Sequence, residues 1–289
     1  MRPEDIAFGP RAFDVPTGRA PIRVSWLGTA GFRIEHDGFT LLIDPYVTRA
    51  SLLACARGPL TSDADAVRRF APKADAIVTG HTHFDHVLDV PAIARHTGAK
   101  VFGSRSCVHL CRIEGLPEHQ VMDVESRRGQ PTKVEVGPFE LRFIPSVHAA
   151  FMLGRIPMPG DISDCDQIPL RTGHYRCGAV FGVDIRVAGK RLYHLGSADL
   201  LDAYPERDVD LLMMCVAGWT TTARFCPRVM GAIRPGAILL SHWDNFFAPM
   251  DAGAKALPAM QMPRLVEGLT AVDPSVRIGT VPLLGSVEL

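Results

Sequence analysis

No stretch of the 289-residue chain is long and apolar enough to cross a bilayer. A spanning helix needs about 20 consecutive apolar residues. The longest candidate, Leu211 to Trp219, has nine and includes Gly218. The first residues carry Glu4 and Asp5 and lack the apolar core of a secretory signal. Net charge is absent too: 31 Lys+Arg are matched by 31 Asp+Glu. That removes the positive field expected of a nucleic-acid binder. There is no Cys-x-x-Cys. The seven cysteines, at positions 55, 107, 111, 165, 177, 215 and 226, are odd in number and widely scattered. Reduced thiols, and with them a cytoplasmic location, are expected rather than a disulfide framework. No linker and no short-period repeat divides the chain.

What remains is an ordinary globular composition, 47% hydrophobic and 21% charged, which excludes disorder as a description of the whole. A chain this long buries about three-quarters of its unfolded surface and holds a core without staples. We expect one domain over residues 1–289, with an irregular lead-in at 1–20. Three strands, Ile22 to Leu27, Gly31 to His36 and Phe39 to Ile43, form an antiparallel meander turned in part by Asp37-Gly38. A helix from Thr61 to about Phe70, a buried strand Ala74 to Thr79 and a helix reaching about His96 follow. Next come a strand Lys100 to Gly103 and a helix Ser104 to Glu114, stopped by Gly115; Cys107 and Cys111 are expected to be buried on that helix. Hairpin strands are expected at Thr132 to Val136, Phe139 to Ile144, Gly178 to Val187 and Arg191 to Leu195. The chain then continues with strand Val209 to Val216, helix Thr221 to Ile233, strand Ala237 to Ser241, helix Met260 to Leu269 and strand Val276 to Val281. Strands followed by strand–helix units occur twice over. The economical architecture is α/β (α+β): two sheets face to face with helices outside, a four-layer αββα sandwich.

The chemistry concentrates in His81-Thr82-His83-Phe84-Asp85-His86, four metal-binding side chains in six positions between a buried strand and a helix. His81 and His83 alternate, so both imidazoles can point to one side of an extended turn, while Asp85 and His86 sit at the helix start. Imidazole with carboxylate suits zinc first, and also iron or manganese. Further ligands must come from elsewhere. His148, Asp199 and His242 each follow an expected strand; each alone reads more readily as a polar residue at a strand end, but beside the first motif His148 and His242 are expected as ligands, with Asp199 evenly balanced. Asp199 can also be a helix cap. Asp44, after the third strand, is a candidate partner for a ligand imidazole N–H, or simply starts a turn at Pro45. His194 is expected in the core, and His36, His96, His109, His119 and His174 on the surface or at caps.

These residues resemble the metallo-β-lactamase-fold hydrolases, close to the branch of ascorbate-6-phosphate lactonase-like and N-acylphosphatidylethanolamine phospholipase D-like enzymes. The resemblance runs from about Ile22 to Phe247. It rests on Trp26-Leu-Gly-Thr-Ala-Gly-Phe-Arg-Ile-Glu, on Leu42-Ile-Asp-Pro-Tyr, on H-x-H-x-D-H at His81 to His86, on His148, and on Leu240-Ser-His-Trp-Asp-Asn-Phe. It implies one metal on His81, His83 and His148 and a second on Asp85, His86 and His242. There are two departures. Gly196-Ser197 stands where the family usually has Gly-Asp, whose carboxylate bridges the metals; Asp199 is the candidate replacement. Thr29 stands where a histidine is common in this branch.

The implied activity is hydrolysis of an ester, lactone or phosphodiester bond in a small or lipid-like molecule, using water activated by one or two divalent cations, with Asp85 holding that water and moving its proton. The alternative is a catalytically weak or inactive metal-binding member of the fold acting as sensor or scaffold. Redox chemistry of the flavodiiron type is disfavoured by His83, where those relatives typically carry Glu, and an amidohydrolase barrel by the adjacent Asp85-His86. The aperiodic segment 149–176 is expected to be an insert. Phe151, Met152, Leu153, Ile156 and Met158 could line a pocket or lid, or pack on the body or another subunit in a homo-oligomer. Asp161, Asp164 and Asp166 are read as a solvated acidic turn. The expected partner is a small-molecule substrate, without nucleic acid or an integral membrane span.

Overall fold

The computed structural model describes residues 2–9, 12–13, 20–125, 129–151 and 154–289. Its strands form two seven-stranded sheets built on one plan. In the first, β1 (Arg23–Gly28), β2 (Gly31–His36) and β3 (Phe39–Ile43) run as the expected antiparallel meander. β4 (Ala76–Val78), β5 (Lys100–Gly103) and β6 (Val121–Asp123) then add in parallel. In the second, β7 (Thr132–Val136), β8 (Phe139–Ser146), β9 (Val180–Val187) and β10 (Lys190–Leu195) are antiparallel. β11 (Val209–Cys215), β12 (Pro235–Ser241) and β13 (Arg277–Gly279) continue in parallel. The remaining strand, β14 (Ser286–Glu288), closes the outer edge of β1.

Alternation along the strands assigns the layers, because successive side chains point to opposite faces. Trp26, Phe32, Ile34, Leu41 and Ile43 share one core with Leu141, Phe143, Val183 and Ile185 of the second sheet. Leu27, Leu42, Ile77 and Val101 point the other way. They meet α2 (Ala64–Phe70), α3 (Phe84–Val87), α4 (Val90–Thr97) and α5 (Arg105–Ile113) through Val67, Val87, Ile93 and Leu110. The second sheet is covered by α6 (Phe225–Ile233) and α7 (Met262–Val272), through Val229, Met230, Leu265 and Leu269. This is the four-layer αββα sandwich. Cys107 and Cys111 are buried on α5, and all seven cysteines are free thiols.

Several local expectations change. The helix expected to reach His96 without a break is split between α3 and α4. At the break, the fully buried Asp89 turns back to accept the N–H groups of Val47 and Thr48 at 2.7 and 2.8 Å and the Ser62 hydroxyl at 2.5 Å. A six-residue helix, α1 (Leu52–Arg57), lies where no element was expected; Ser51 Oγ caps it by accepting from Ala54 N–H at 3.2 Å. The helix expected from Thr221 starts only at Phe225, after a 3-10 turn at Trp219–Thr221.

Segment 149–176 is fastened to the body over much of its length. Ile162, Leu170 and Tyr175 are buried. Asp161 and Asp164 are exposed, as a solvated acidic turn requires, and all three aspartates also have partners: Asp161 accepts from Ser106 Oγ at 3.0 Å, Asp164 pairs with Arg112 at 2.7 Å, and Asp166 takes the Ser163 N–H at 2.7 Å. Phe151 and Ile156 are exposed, and Met152 and Leu153 lie outside the described residues.

Candidate metal centre

The centre is built at the carboxyl ends of strands, where the chain leaves each sheet and its side chains are released from the ladder. β4 ends at Val78, and Thr79-Gly80 leads into His81. Gly80 sits where a Cβ would come within 3.1 Å of Asp44 Oδ2. His83 is the N-cap of α3, which puts Asp85 and His86 in its first turn. His148 follows β8 by two residues, and His242 follows β12 directly, with a left-handed φ of 58°.

These segments converge. His81, His83 and His148 offer nitrogens all within 4.8 Å of one another, and so do the donor atoms of Asp85, His86 and His242. A third combination, Asp44 with His81 and His86, meets the same criterion. His81 Nε2 lies 3.1 Å from His83 Nδ1, and His242 Nε2 lies 3.2 Å from Asp85 Oδ2.

Acceptors behind the rings decide which nitrogen faces inward. His83 Nε2–H donates to the Pro157 carbonyl at 2.9 Å, and His148 Nδ1–H to the Ala149 carbonyl at 2.7 Å. His86 Nδ1–H donates to Asp44 Oδ2 at 2.8 Å, while Asp44 Oδ1 takes the Gly80 N–H at 2.6 Å. In each case the inner nitrogen keeps its lone pair, the arrangement typical of a ligating imidazole. Asp44 is therefore a ring-orienting partner and more than a turn residue. Burial, reinforced by the neighbouring imidazoles, holds His81 well below the ordinary range and also depresses His83. Burial, with His83 beside it, brings His148 down to about 4. Burial pushes Asp85 toward protonation, but His86 and His242 outweigh it, and its carboxyl titrates below the ordinary carboxylate range. For His86 the contest goes the other way: burial lowers it, and Asp44 and Asp85 raise it further.

The donor set fits a divalent cation. Imidazole nitrogens and an ionised carboxylate are turned toward shared points in a buried site. Nitrogen and oxygen donors of this kind suit zinc, iron or manganese.

Asp199 does not join this set. Its Oδ1 accepts from Leu200 N–H at 2.8 Å and from Arg228 Nη1 at 2.8 Å, so it is a turn cap and ion-pair partner. Ser197, at the position of the expected bridging carboxylate, accepts the Ala149 N–H at 2.9 Å and so braces the residue after His148. His194 is in the core, as expected, donating from Nε2 to the Ala30 carbonyl at 2.9 Å. A pocket of about 380 Å³ opens beside His148, lined in part by Glu125, Ile156, Cys177 and Phe181. A larger hollow of about 530 Å³ near Trp219 is lined by no residue of the two donor clusters. Sequence reasoning missed the two backbone acceptors, the carbonyls of Pro157 and Ala149. A carbonyl leaves no trace in residue identity.

A family model described as a beta-lactamase superfamily domain matches residues 23–242. The chain belongs to the metallo-β-lactamase superfamily. Within the superfamily it is similar to a UPF0173 metal-dependent hydrolase of Anaeromyxobacter sp. (strain K), 28% identical over 236 residues, which cover 79% of this chain and 77% of the relative. A UPF0173 metal-dependent hydrolase of Pyrobaculum arsenaticum is 33% identical over 230 residues, covering 78% and 85%. Two solved structures share the metallo-β-lactamase fold. Igni18, a metallo hydrolase from Ignicoccus hospitalis, has a TM-score of 0.61 at 20% identity and covers 93% of this chain and 98% of its own. CmlA, a diiron β-hydroxylase from Streptomyces venezuelae, has a TM-score of 0.60 at 15% identity and covers 95% of this chain and 55% of its own. The chain is a metal-dependent hydrolase of this superfamily, and no helix among its described residues is long and apolar enough to cross a membrane.

Proposed function

We propose that the chain is a zinc-dependent hydrolase of an ester, lactone or phosphodiester bond in a small or lipid-like molecule. His81, His83 and His148 would hold one cation, and Asp85, His86 and His242 a second. The observation that carries this reading is the convergence of imidazoles from positions 81, 83, 86, 148 and 242 on two adjoining donor clusters. A bound divalent cation acidifies water and polarises an acyl or phosphoryl oxygen.

The protein's own groups do the rest. Asp85, kept ionised by its imidazole neighbours, accepts the proton of the attacking water and returns it to the leaving group. Asp44, Pro157 O and Ala149 O keep His86, His83 and His148 in the ligating tautomer. The pocket beside His148 receives the substrate's non-reacting part, with Ile156 and Phe181 supplying apolar surface. The free thiols support a reducing, cytoplasmic setting.

Metal content per chain, measured together with turnover on a panel of lactones, esters and phosphodiesters, tests the reading. The expected result is two equivalents and a substrate whose kcat falls about 10²–10⁴-fold in Asp85→Asn. Bound metal without turnover across the panel would favour a sensor or scaffold. Ser197 and Asp199, both engaged in structural contacts, are the features that motivate that second reading.

A further inference from the structure

One buried ion pair has no part in the proposed chemistry, yet it touches the loop that carries His242. Arg49 Nη1 lies 2.6 Å from Asp244 Oδ2, and both side chains are fully buried. Such a pair is a poor device for stability, since desolvating two charges offsets their attraction. Arg49 is also poorly satisfied: its Nε and Nη2 have no partner among the described residues. Its backbone is left-handed, with φ 51°, as are those of Thr29 at 51° and His242 at 58°. Backbones of this kind persist in non-glycine residues where surrounding contacts over-determine them.

The contacts form a closed set. His242 N–H donates to the Thr29 carbonyl at 2.7 Å, and Thr29 N–H donates to Asp244 Oδ1 at 3.1 Å. Asp244 Oδ2 meets Arg49, and Arg49 Nη1 also reaches the Asn245 carbonyl at 3.5 Å. Gly28 makes room for the guanidinium: a Cβ there would stand 1.5 Å from Arg49 Nη2. Arg49 belongs to the same loop as Asp44, which orients His86. One loop therefore reaches both imidazoles of the Asp85–His86–His242 cluster.

We propose that Arg49 is a positioning residue that fixes His242 through Asp244 and so sets the affinity of the second cation site and not of the first. The inference rests on the two-cluster reading above. Cobalt(II) titration of the full, metal-stripped chain tests it, with ligand-field absorption reporting each equivalent and the melting temperature of the metal-free chain measured alongside. Arg49→Met/Asp244→Asn removes both charges but leaves an oxygen for Thr29 N–H. Arg49→Lys keeps the charge without the fork and serves if the double variant does not fold.

In both, the first equivalent should bind within about twofold of wild type and the second about 10–100-fold more weakly, the range seen when an orienting partner is lost. The second-site cobalt spectrum should change, while the metal-free melting temperature of the double variant stays at the wild-type value. A second equivalent as tight as wild type in a folded variant overturns the assignment of Arg49 alone. So does equal weakening of both equivalents. A wild-type chain that takes only one cobalt overturns the two-cluster reading and this assignment with it.

Discussion

At the scale of single residues, the structure separates carboxylates that face the donor clusters from those that only neighbour them in sequence. Asp44→Asn keeps the shape but replaces a charged acceptor behind His86. Metal affinity should fall about 10–100-fold, read by competition with a chromophoric chelator. Asp199→Asn should leave metal stoichiometry at the wild-type value and cost less than about 1 kcal/mol, because its ion pair with Arg228 is partly exposed; thermal melting with metal analysis measures both. Most of the donor set was legible because it rests on residue type and spacing. The H-x-H-x-D-H run, and the two histidines at strand ends, carry their chemistry in their identities. Asp199 misled for a physical reason: its position in the chain suits a ligand, but Arg228, 29 residues on, engages its carboxylate. The left-handed backbones at Thr29, Arg49 and His242 were hidden, since nothing in those residue types demands them.

At the scale of elements, legibility followed hydrophobic periodicity. The meander and the parallel strands stand out because their apolar residues meet a core on one or both faces. α1 left no signal because none of its six residues is buried. β6 has no buried residue and β14 only one, so neither shows an apolar run. The break between α3 and α4 depends on Asp89 reaching a loop some 40 residues earlier in the chain. Close approach between elements leads to another prediction. A Cβ on Gly103 of β5 would lie 2.3 Å from Thr79 Oγ1 and 2.7 Å from Cys107 Cβ. Gly103→Ala should cost about 1–3 kcal/mol as overpacking, seen as a lower midpoint in chemical denaturation. An unchanged midpoint would mean that α5 can shift away from the sheet without penalty.

At the scale of the whole molecule, stability and metal binding are one equilibrium. A cation that binds the folded chain alone stabilises it by about 4 kcal/mol at a thousand times its dissociation constant, so chelation should lower the melting temperature. The metal-free chain should then show a pH optimum. His81, His83 and His148 have folded pKa values below the ordinary imidazole value of 6.5, His148 at about 4. Between those limits the unfolded chain binds more protons, so stability falls as pH drops from 6.5 toward 4. His86 is raised and acts in the opposite sense: its contribution is present below 6.5 and lost as pH rises through its folded value. Melting curves of chelator-treated protein across this range should peak near pH 6.5. A flat profile would contradict the burial of neutral rings.

The donors are divided between the two sheets. The first supplies His81, His83, Asp85 and His86, and the second His148 and His242, so neither holds a complete set. A cation held by both would thereby be a reversible crosslink. Joining Asp85 to His242 would close a loop spanning 157 positions, a closure that the folded chain has already made and that the unfolded chain would have to make at an entropy cost before it could bind. Metal supply would then govern not only whether this hydrolase can act but how long each copy survives between spontaneous openings.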